Sequence, residues 1–229
     1  MSDDRDALLE AALVHAAFDG MNDTALRAGA RDLGLSQAAI DAHFPRGGAD
    51  LAAAYHRRAD AALRADLAVN PPQGRFRDKV AEAVWRRLTL VDPDLVRAGA
   101  AVLSLPLNQP LAARLVWETA DAIWDGLGDA SDDVNWYTKR ATLSAVISSS
   151  VLYWLGDGSD DRRDSRDFIE RRIDGVMRFE KLKAAARKLP GVSALTGLAT
   201  GWVRAPRDTA TPGATTAAPA TQTAKGPDA

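Results

Sequence analysis

Apolar residues recur at three- and four-residue spacing along most of this chain, the repeat that lines one face of an α-helix. Leu8, Leu9, Ala12, Leu13, Ala16 and Ala17 predict a first amphipathic helix ending near Gly20. Asn22, Asp23 and Thr24 are all good N-cap residue types; they open a short helix through Leu33, which Gly34 stops. Ser36 caps a third, Gln37 to Phe44, halted by Pro45. A longer helix runs through Leu51, Ala54, Tyr55, Ala62 and Leu63. Asn70-Pro71-Pro72-Gln73-Gly74 interrupts the pattern and divides a head, residues 1-70, from a body, residues 74-189.

In the body, Phe76, Val80, Val84 and Leu88 share one face, and Pro93 begins a helix reaching Leu105. Pro110 sits at an N1 position before Leu111, Leu115, Ala122 and Ile123. The stretch from Tyr137 to Leu155 is apolar nearly all round, which predicts a helix buried on most sides, in a core or a subunit interface. Residues 164-189 are charged outside, with Phe168, Ile169, Ile173, Val176 and Met177 inside. The last stretch, 205-229, is Ala, Thr and Pro with little to bury and is expected to be disordered. The fold class is all-α.

Composition narrows the chemistry. The 229 residues carry a net charge of -2 and no Cys, which removes disulfides and thiol chemistry and suits a reducing cytoplasm. The acidic start, Met1-Ser2-Asp3-Asp4-Arg5-Asp6, is neither a secretory signal nor an Arg-rich transit peptide. No apolar run approaches the roughly 20 residues of a spanning helix, so any membrane contact is expected to be peripheral. His15, His43 and His56 lack the helical spacing of a zinc or diiron site. There is no nucleophile elbow, P-loop or dinucleotide glycine motif. The expectation is a protein that is not an enzyme and that uses no metal or cofactor.

Residues 24-45, with the turn at Gly34, the capping Ser36 and the terminal Phe44-Pro45, resemble the helix-turn-helix head of TetR-type repressors. Reading DNA needs donors aimed at bases and phosphates. The second helix here offers Gln37, Ala38, Ala39, Asp41, Ala42 and His43, and Arg27, Arg31 and Arg46 are offset by Asp23, Asp32 and Asp41. The head is therefore read as vestigial, without a nucleic-acid partner; a ligand-responsive transcriptional regulator is the alternative.

Asn135-Trp136-Tyr137-Thr138-Lys139-Arg140 sets two large aromatics beside an amide and two cations, a grouping suited to a flat partner or a lipid. Adjacent helical residues point about 100° apart, so one of Trp136 and Tyr137 is expected to anchor the fold and the other to be exposed. Together with Ala17-Phe18-Asp19-Gly20, Leu105-Pro106-Leu107-Asn108 and Met177-Arg178-Phe179-Glu180-Lys181, this motif resembles the ubiquinone-biosynthesis accessory family: the ninth Coq protein of mitochondria and its alphaproteobacterial relatives. The likeness runs over roughly residues 7-182. It implies a TetR-like helical bundle that has lost DNA binding, with a body cavity for an isoprenoid lipid or quinone. It also implies a patch that docks the demethoxyubiquinone hydroxylase. Carried over by position, the patch is Pro106, Asn108, Asp121, Trp124, Asn135, Trp136, Tyr137 and Arg140. On this expectation a homodimer, cytoplasmic and peripheral on the inner membrane, takes up a polyprenyl tail and delivers the quinone head to the hydroxylase.

The resemblance further implies a late amphipathic helix on the membrane surface. Within the candidate contact segment 190-204, Val192, Leu195, Leu198, Ala199 and Trp202 fall on one arc if residues 192-203 are helical, flanked by Arg187, Lys188, Arg204 and Arg207. Gly191, Gly197 and Gly201 make that segment a poor helix in water, so it is expected to fold on lipid. Ser148, Ser149 and Ser150 are candidates to line a cavity or an interface, or simply to bond their own helix backbone.

Overall fold

A computed structural model describes residues 2-129 and 134-187, and every regular element among them is helical. The head opens with α1 (Ser2–Asp19), α2 (Asp23–Asp32) and α3 (Gln37–His43), followed by the long α4 (Gly48–Val69). The body adds α5 (Phe76–Thr89), α6 (Pro93–Leu103), α7 (Gln109–Gly126), α8 (Val134–Gly156) and α9 (Arg163–Arg187).

The local signals act where they stand in the sequence. The Asn22 side chain accepts the Thr24 and Ala25 amides at 2.8 and 3.1 Å, starting α2. Ser36 caps α3. Asp92 accepts the Asp94 and Leu95 amides at 2.8 and 3.1 Å, with Pro93 in the first turn of α6. Gly34 closes the α2–α3 turn at φ 66, a left-handed conformation that favours glycine. The helix expected to reach Leu105 ends at Leu103. Leu105 precedes Pro106, which disfavours helical backbone there, and its ψ is 140. A short 3-10 turn, Pro106–Asn108, then leads into α7.

Two apolar clusters form the interior. One joins Leu8, Leu13, Met21, Leu26, Ile40, Phe44 and Leu51 in the head; the other joins Leu63, Leu67, Val84, Ile123, Val146, Trp154, Ile169 and Ile173 in the body. Helix α4 serves both, Leu51 to Tyr55 on one side and Leu63 to Leu67 on the other. The break at 70-74 thus ends a helix shared by head and body rather than the head itself.

Within the single chain, helix α8 is not covered all round. Ala141, Ala145, Ser148 and Leu152, spaced four, three and four apart, form an exposed stripe, with Leu152 72% exposed. The inner positions of α9 expected from sequence hold for Ile169 and Ile173, while Phe168 is half-buried and stacks on Tyr153 at 4.4 Å. The side chain of Met177, the arc Val192, Leu195, Leu198 and Trp202, and the tail 205-229 lie outside the described residues.

The expected compensation of basic charge in the head takes a different form. Arg46 pairs with Asp50 at 2.6 Å, Asp32 bonds His15 at 2.6 Å, and Asp41 accepts from Gln37 at 2.8 Å. The partners differ because Arg46 and Asp50 stand four residues apart at the start of α4, whereas Asp41 is held by its own helix.

Candidate functional site

Helices α7 and α8 pack side by side and bring the aromatic motif against a tryptophan of α7. Trp136 and Tyr137 meet edge to face at 4.8 Å, and Trp117 packs on both, with ring centroids at 5.9 and 6.4 Å. Both Trp136 and Tyr137 are half-buried, so the expected division into one anchor and one exposed ring does not occur: Trp117 shields both. Sequence reasoning missed Trp117. Its only signal is its place near Leu115 and Ile123 in an apolar helix, which reads as ordinary core.

The basic residue of the motif turns inward. Arg140 is 1% exposed, lies 4.0 Å over the Trp136 ring and bonds Asp121, Asp125 and Asp129, the latter two at 3.0 and 3.4 Å. Lys139 pairs with Asp129 at 2.6 Å and sits over Trp124 at 5.3 Å. Trp124, 6% exposed, stacks on Phe76 at 5.6 Å. Of the carried-over patch, Trp124 and Arg140 are therefore interior supports, because burying a guanidinium requires carboxylates around it and an indole fills core space. Asn135 lies in the first turn of α8. Pro106 and Asn108 stand at the opposite end of α7 from Trp124, about 24 Å away along the axis at the rise of an α-helix. The structure thus gathers Asp121, Trp136, Tyr137 and the supporting residues, and leaves Pro106 and Asn108 apart; Asn108 spends its amide on the Val102 carbonyl at 2.8 Å.

Two apolar cavities flank this hairpin. The first, about 250 Å³, lies directly beneath the motif, lined by Phe76, Trp124, Thr138, Lys139, Leu143 and Ile173. The second, about 320 Å³, lies between α4, α5, α6, α7 and α8, and its walls include Leu88, Leu95, Leu103, Leu115, Ile147 and Val151. Ser148 borders the second cavity, while Ser149 bonds its own helix at the Val146 carbonyl, 2.9 Å away.

Polar side chains at the base of the second cavity form a connected group that sequence reasoning missed. Arg87, 6% exposed, donates to Asp60 at 2.6 Å; Thr119 donates to the same carboxylate at 2.9 Å; His56 Nε2 meets the Thr119 hydroxyl at 2.7 Å. Burial, with the Arg87 cation nearby, lowers the His56 pKa to about 4, so the ring is neutral at physiological pH. The available signal is His56 and Asp60 one turn apart on an alanine-rich helix. Among the described residues, no cluster of three or more His, Cys, Asp or Glu is arranged to hold a metal ion, and no helix is long and apolar enough to cross a membrane.

The architecture is that of a TetR-like, all-α protein. A TetR transcriptional regulator from Nitrosomonas europaea superposes with a TM-score of 0.57 over 74% of this chain and 95% of that one, at 20% sequence identity. That is a likeness of fold alone. The sequence carries a more specific sign: residues 109–180, spanning α7, α8 and most of α9, match the COQ9 family. The mitochondrial ubiquinone biosynthesis protein COQ9 of Homo sapiens is 31% identical over 180 residues, which cover 74% of this chain and 56% of that protein. The Bos taurus and Drosophila melanogaster proteins of the same name are 32% and 28% identical, over 74% and 78% of this chain and 56% of each relative. The chain spans a little over half the length of these curated relatives.

Proposed function

We propose that this protein is a lipid-binding accessory protein of ubiquinone biosynthesis, which holds an isoprenoid quinone intermediate and hands it to the demethoxyubiquinone hydroxylase. The observation that carries this reading is an apolar cavity on either side of the helix pair within the COQ9-like region. Apolar walls with few polar groups suit an isoprenoid lipid, and burial at roughly 25 cal/mol per Å² drives its uptake from water. Against a bilayer the same term nearly cancels, so the protein competes only if the lipid fills the space well.

The hydroxylase docks, on this reading, at the face around Trp136, Tyr137 and Asp121, a compact aromatic cluster of the type that dominates protein interfaces. A homodimer resting peripherally on the inner membrane, with Val192, Leu195, Leu198 and Trp202 as its contact, completes the proposal. The regulator alternative is weaker: α3 offers no Lys or Arg, and DNA affinity depends on cations placed against phosphates.

Native mass spectrometry and organic extraction of the protein from its own host test the lipid reading. A co-purified polyprenyl quinone or related isoprenoid is the expected result, and a chain that is empty and retains a defined operator duplex overturns it. For docking, Trp136→Ala and Tyr137→Ala are each expected to weaken capture of the hydroxylase; unchanged capture by both variants removes the patch. Loss of liposome flotation on deleting residues 190-204 is the expected sign of the membrane contact.

A further inference from the structure

The second cavity has a floor and a mouth of different chemistry. Ala100, Ser104, Ser148 and Leu152 are exposed and mark the mouth, whereas Tyr55, Arg87, Leu115 and Thr119 are buried and mark the floor. His56 lines the floor and keeps 22% of its side chain exposed.

The hydrogen bonds around His56 fix its tautomer. Arg87 holds Asp60 as a carboxylate acceptor at 2.6 Å, and Thr119 has one hydroxyl hydrogen, which that carboxylate takes at 2.9 Å. The Thr119 oxygen then accepts from His56 Nε2 at 2.7 Å. The Leu115 carbonyl, which can only accept, lies 3.1 Å from the same nitrogen. Both contacts require the hydrogen on Nε2. A neutral imidazole carries one ring hydrogen, so Nδ1 is a bare acceptor. The neighbouring Tyr55 hydroxyl accepts the Asp92 amide at 2.9 Å, and burial raises its pKa, so its own O–H is retained as a donor.

We propose that this cavity binds a prenylated phenol or hydroquinol ring-innermost, with a ring hydroxyl donating to His56 Nδ1 and the prenyl chain leading out past Leu152. The proposal rests on the lipid reading above and states which end of the lipid goes in and in which chemical form. The cavity, about 320 Å³, is at the small end of ligand sites, so it takes one end of a long amphiphile. A tail-first ligand sets hydrocarbon on the imidazole and leaves its acceptor unpaired. A fully oxidised quinone has only acceptor oxygens and leaves it unpaired too. Only a hydroxyl-bearing ring pairs with Nδ1, while the Tyr55 hydroxyl serves a ligand oxygen in either case.

The test uses the full chain with 2-farnesylphenol and its methyl ether, which share an apolar body and a ring oxygen and differ in one donor. The phenol is expected to bind about tenfold more tightly, the cost of a buried acceptor left unpaired. Equal affinity overturns the orientation and leaves the lipid reading standing; binding of neither probe overturns both. Nitrogen-15 NMR of the histidine rings gives an independent readout: His56 Nδ1 is expected unprotonated and shifted by the phenol but not by the ether. A protonated Nδ1 overturns the proposal. His56→Leu is expected to bind the two probes alike, retained ether binding showing that the cavity is intact; a persistent preference for the phenol overturns it.

Discussion

The head and the body are both all-helical and fill their interiors differently. Alanine is abundant in the head, while the body carries fewer alanines and adds Trp85, Trp117, Trp124, Trp136 and Trp154. In the head, backbones touch. A Cβ added to Gly29 would sit 2.5 Å from the Ala12 amide nitrogen, and one on Gly48 would sit 2.0 Å from the Met21 carbonyl oxygen. In the body, helices meet through directional bonds. Helix α7 is tied to α4 by Thr119 and Asp60, and to α8 by Asp121 and Arg140. Bonds of that kind set a separation between axes that the surrounding side chains do not wholly fill: Thr119 lines the second cavity, and Lys139, which shares Asp129 with Arg140, lines the first. Helical packing therefore gives a closed interior where small residues meet and an open one where larger side chains and directional polar bonds hold the spacing.

The largest test breaks a tie. Arg140→Met removes the cation that three carboxylates share and leaves them facing one another. Losing one member of a buried ion pair costs about 3–5 kcal/mol. The lower end applies because Asp121 and Asp125 keep 33% and 56% of their side chains in solvent. Urea denaturation is expected to show a loss of about 3 kcal/mol; a loss below about 1 kcal/mol would mean that apolar packing, not the ion pairs, sets the α7–α8 spacing.

The second test addresses the head. Gly29→Ala pushes a methyl into backbone that cannot turn aside. Overpacking of this kind costs about 1–3 kcal/mol, and the gain in helix propensity from Ala recovers only part of it. A net loss of about 2 kcal/mol is expected in the same assay. A neutral result would show that α1 and α2 can separate cheaply.

Acid addresses the base of the open interior. His56 titrates at about 4 in the folded chain against 6.5 when exposed. The unfolded chain therefore takes up a proton first as pH falls. The stability is fully present above about pH 6.5, declines between 6.5 and 4, and is constant below. The expected loss is roughly 2 kcal/mol. It falls short of the full linkage because the ring keeps a fifth of its surface exposed. Denaturation of the wild type and of His56→Leu at pH 7 and 4.5 isolates this from the carboxylates. Parallel losses in both proteins would show that His56 is not the titrating group.

The helices are legible in the sequence because their signals are local: caps at Asn22, Ser36 and Asp92, stops at Gly34 and before Pro106, and a three-to-four repeat between them. The aromatic motif is legible as a motif, but the direction of its side chains is not. Nothing near Arg140 in sequence says that Asp121 and Asp125, a loop away on α7, will surround it and turn it inward. The patch that the resemblance implies groups Pro106 and Asn108 with Trp124, while α7 carries them to opposite ends of a rigid rod. The group at Asp60, Arg87, His56 and Thr119 joins three helices, and each member alone reads as an ordinary surface or capping residue. Pairing across long sequence separation is what a single sequence conceals.

The smallest effect gives the sharpest contrast, because it repeats the substitution made in the head. Gly99 borders the second cavity. A Cβ there would lie 3.4 Å from the Met21 sulfur and 3.8 Å from the Ala52 Cβ, ordinary contacts with a flexible thioether and a methyl. Gly175, on α9, has nothing within 4 Å of an added Cβ. Relieving a mid-helix glycine is worth about 0.5–1 kcal/mol. Gly99→Ala and Gly175→Ala are therefore both expected to stabilise the fold by that amount, opposite in sign to Gly29→Ala. Thermal unfolding of the three variants side by side measures the difference. If Gly99→Ala destabilises while Gly175→Ala stabilises, the space beside α6 is not available to an extra methyl, and the interior there is closed as it is in the head.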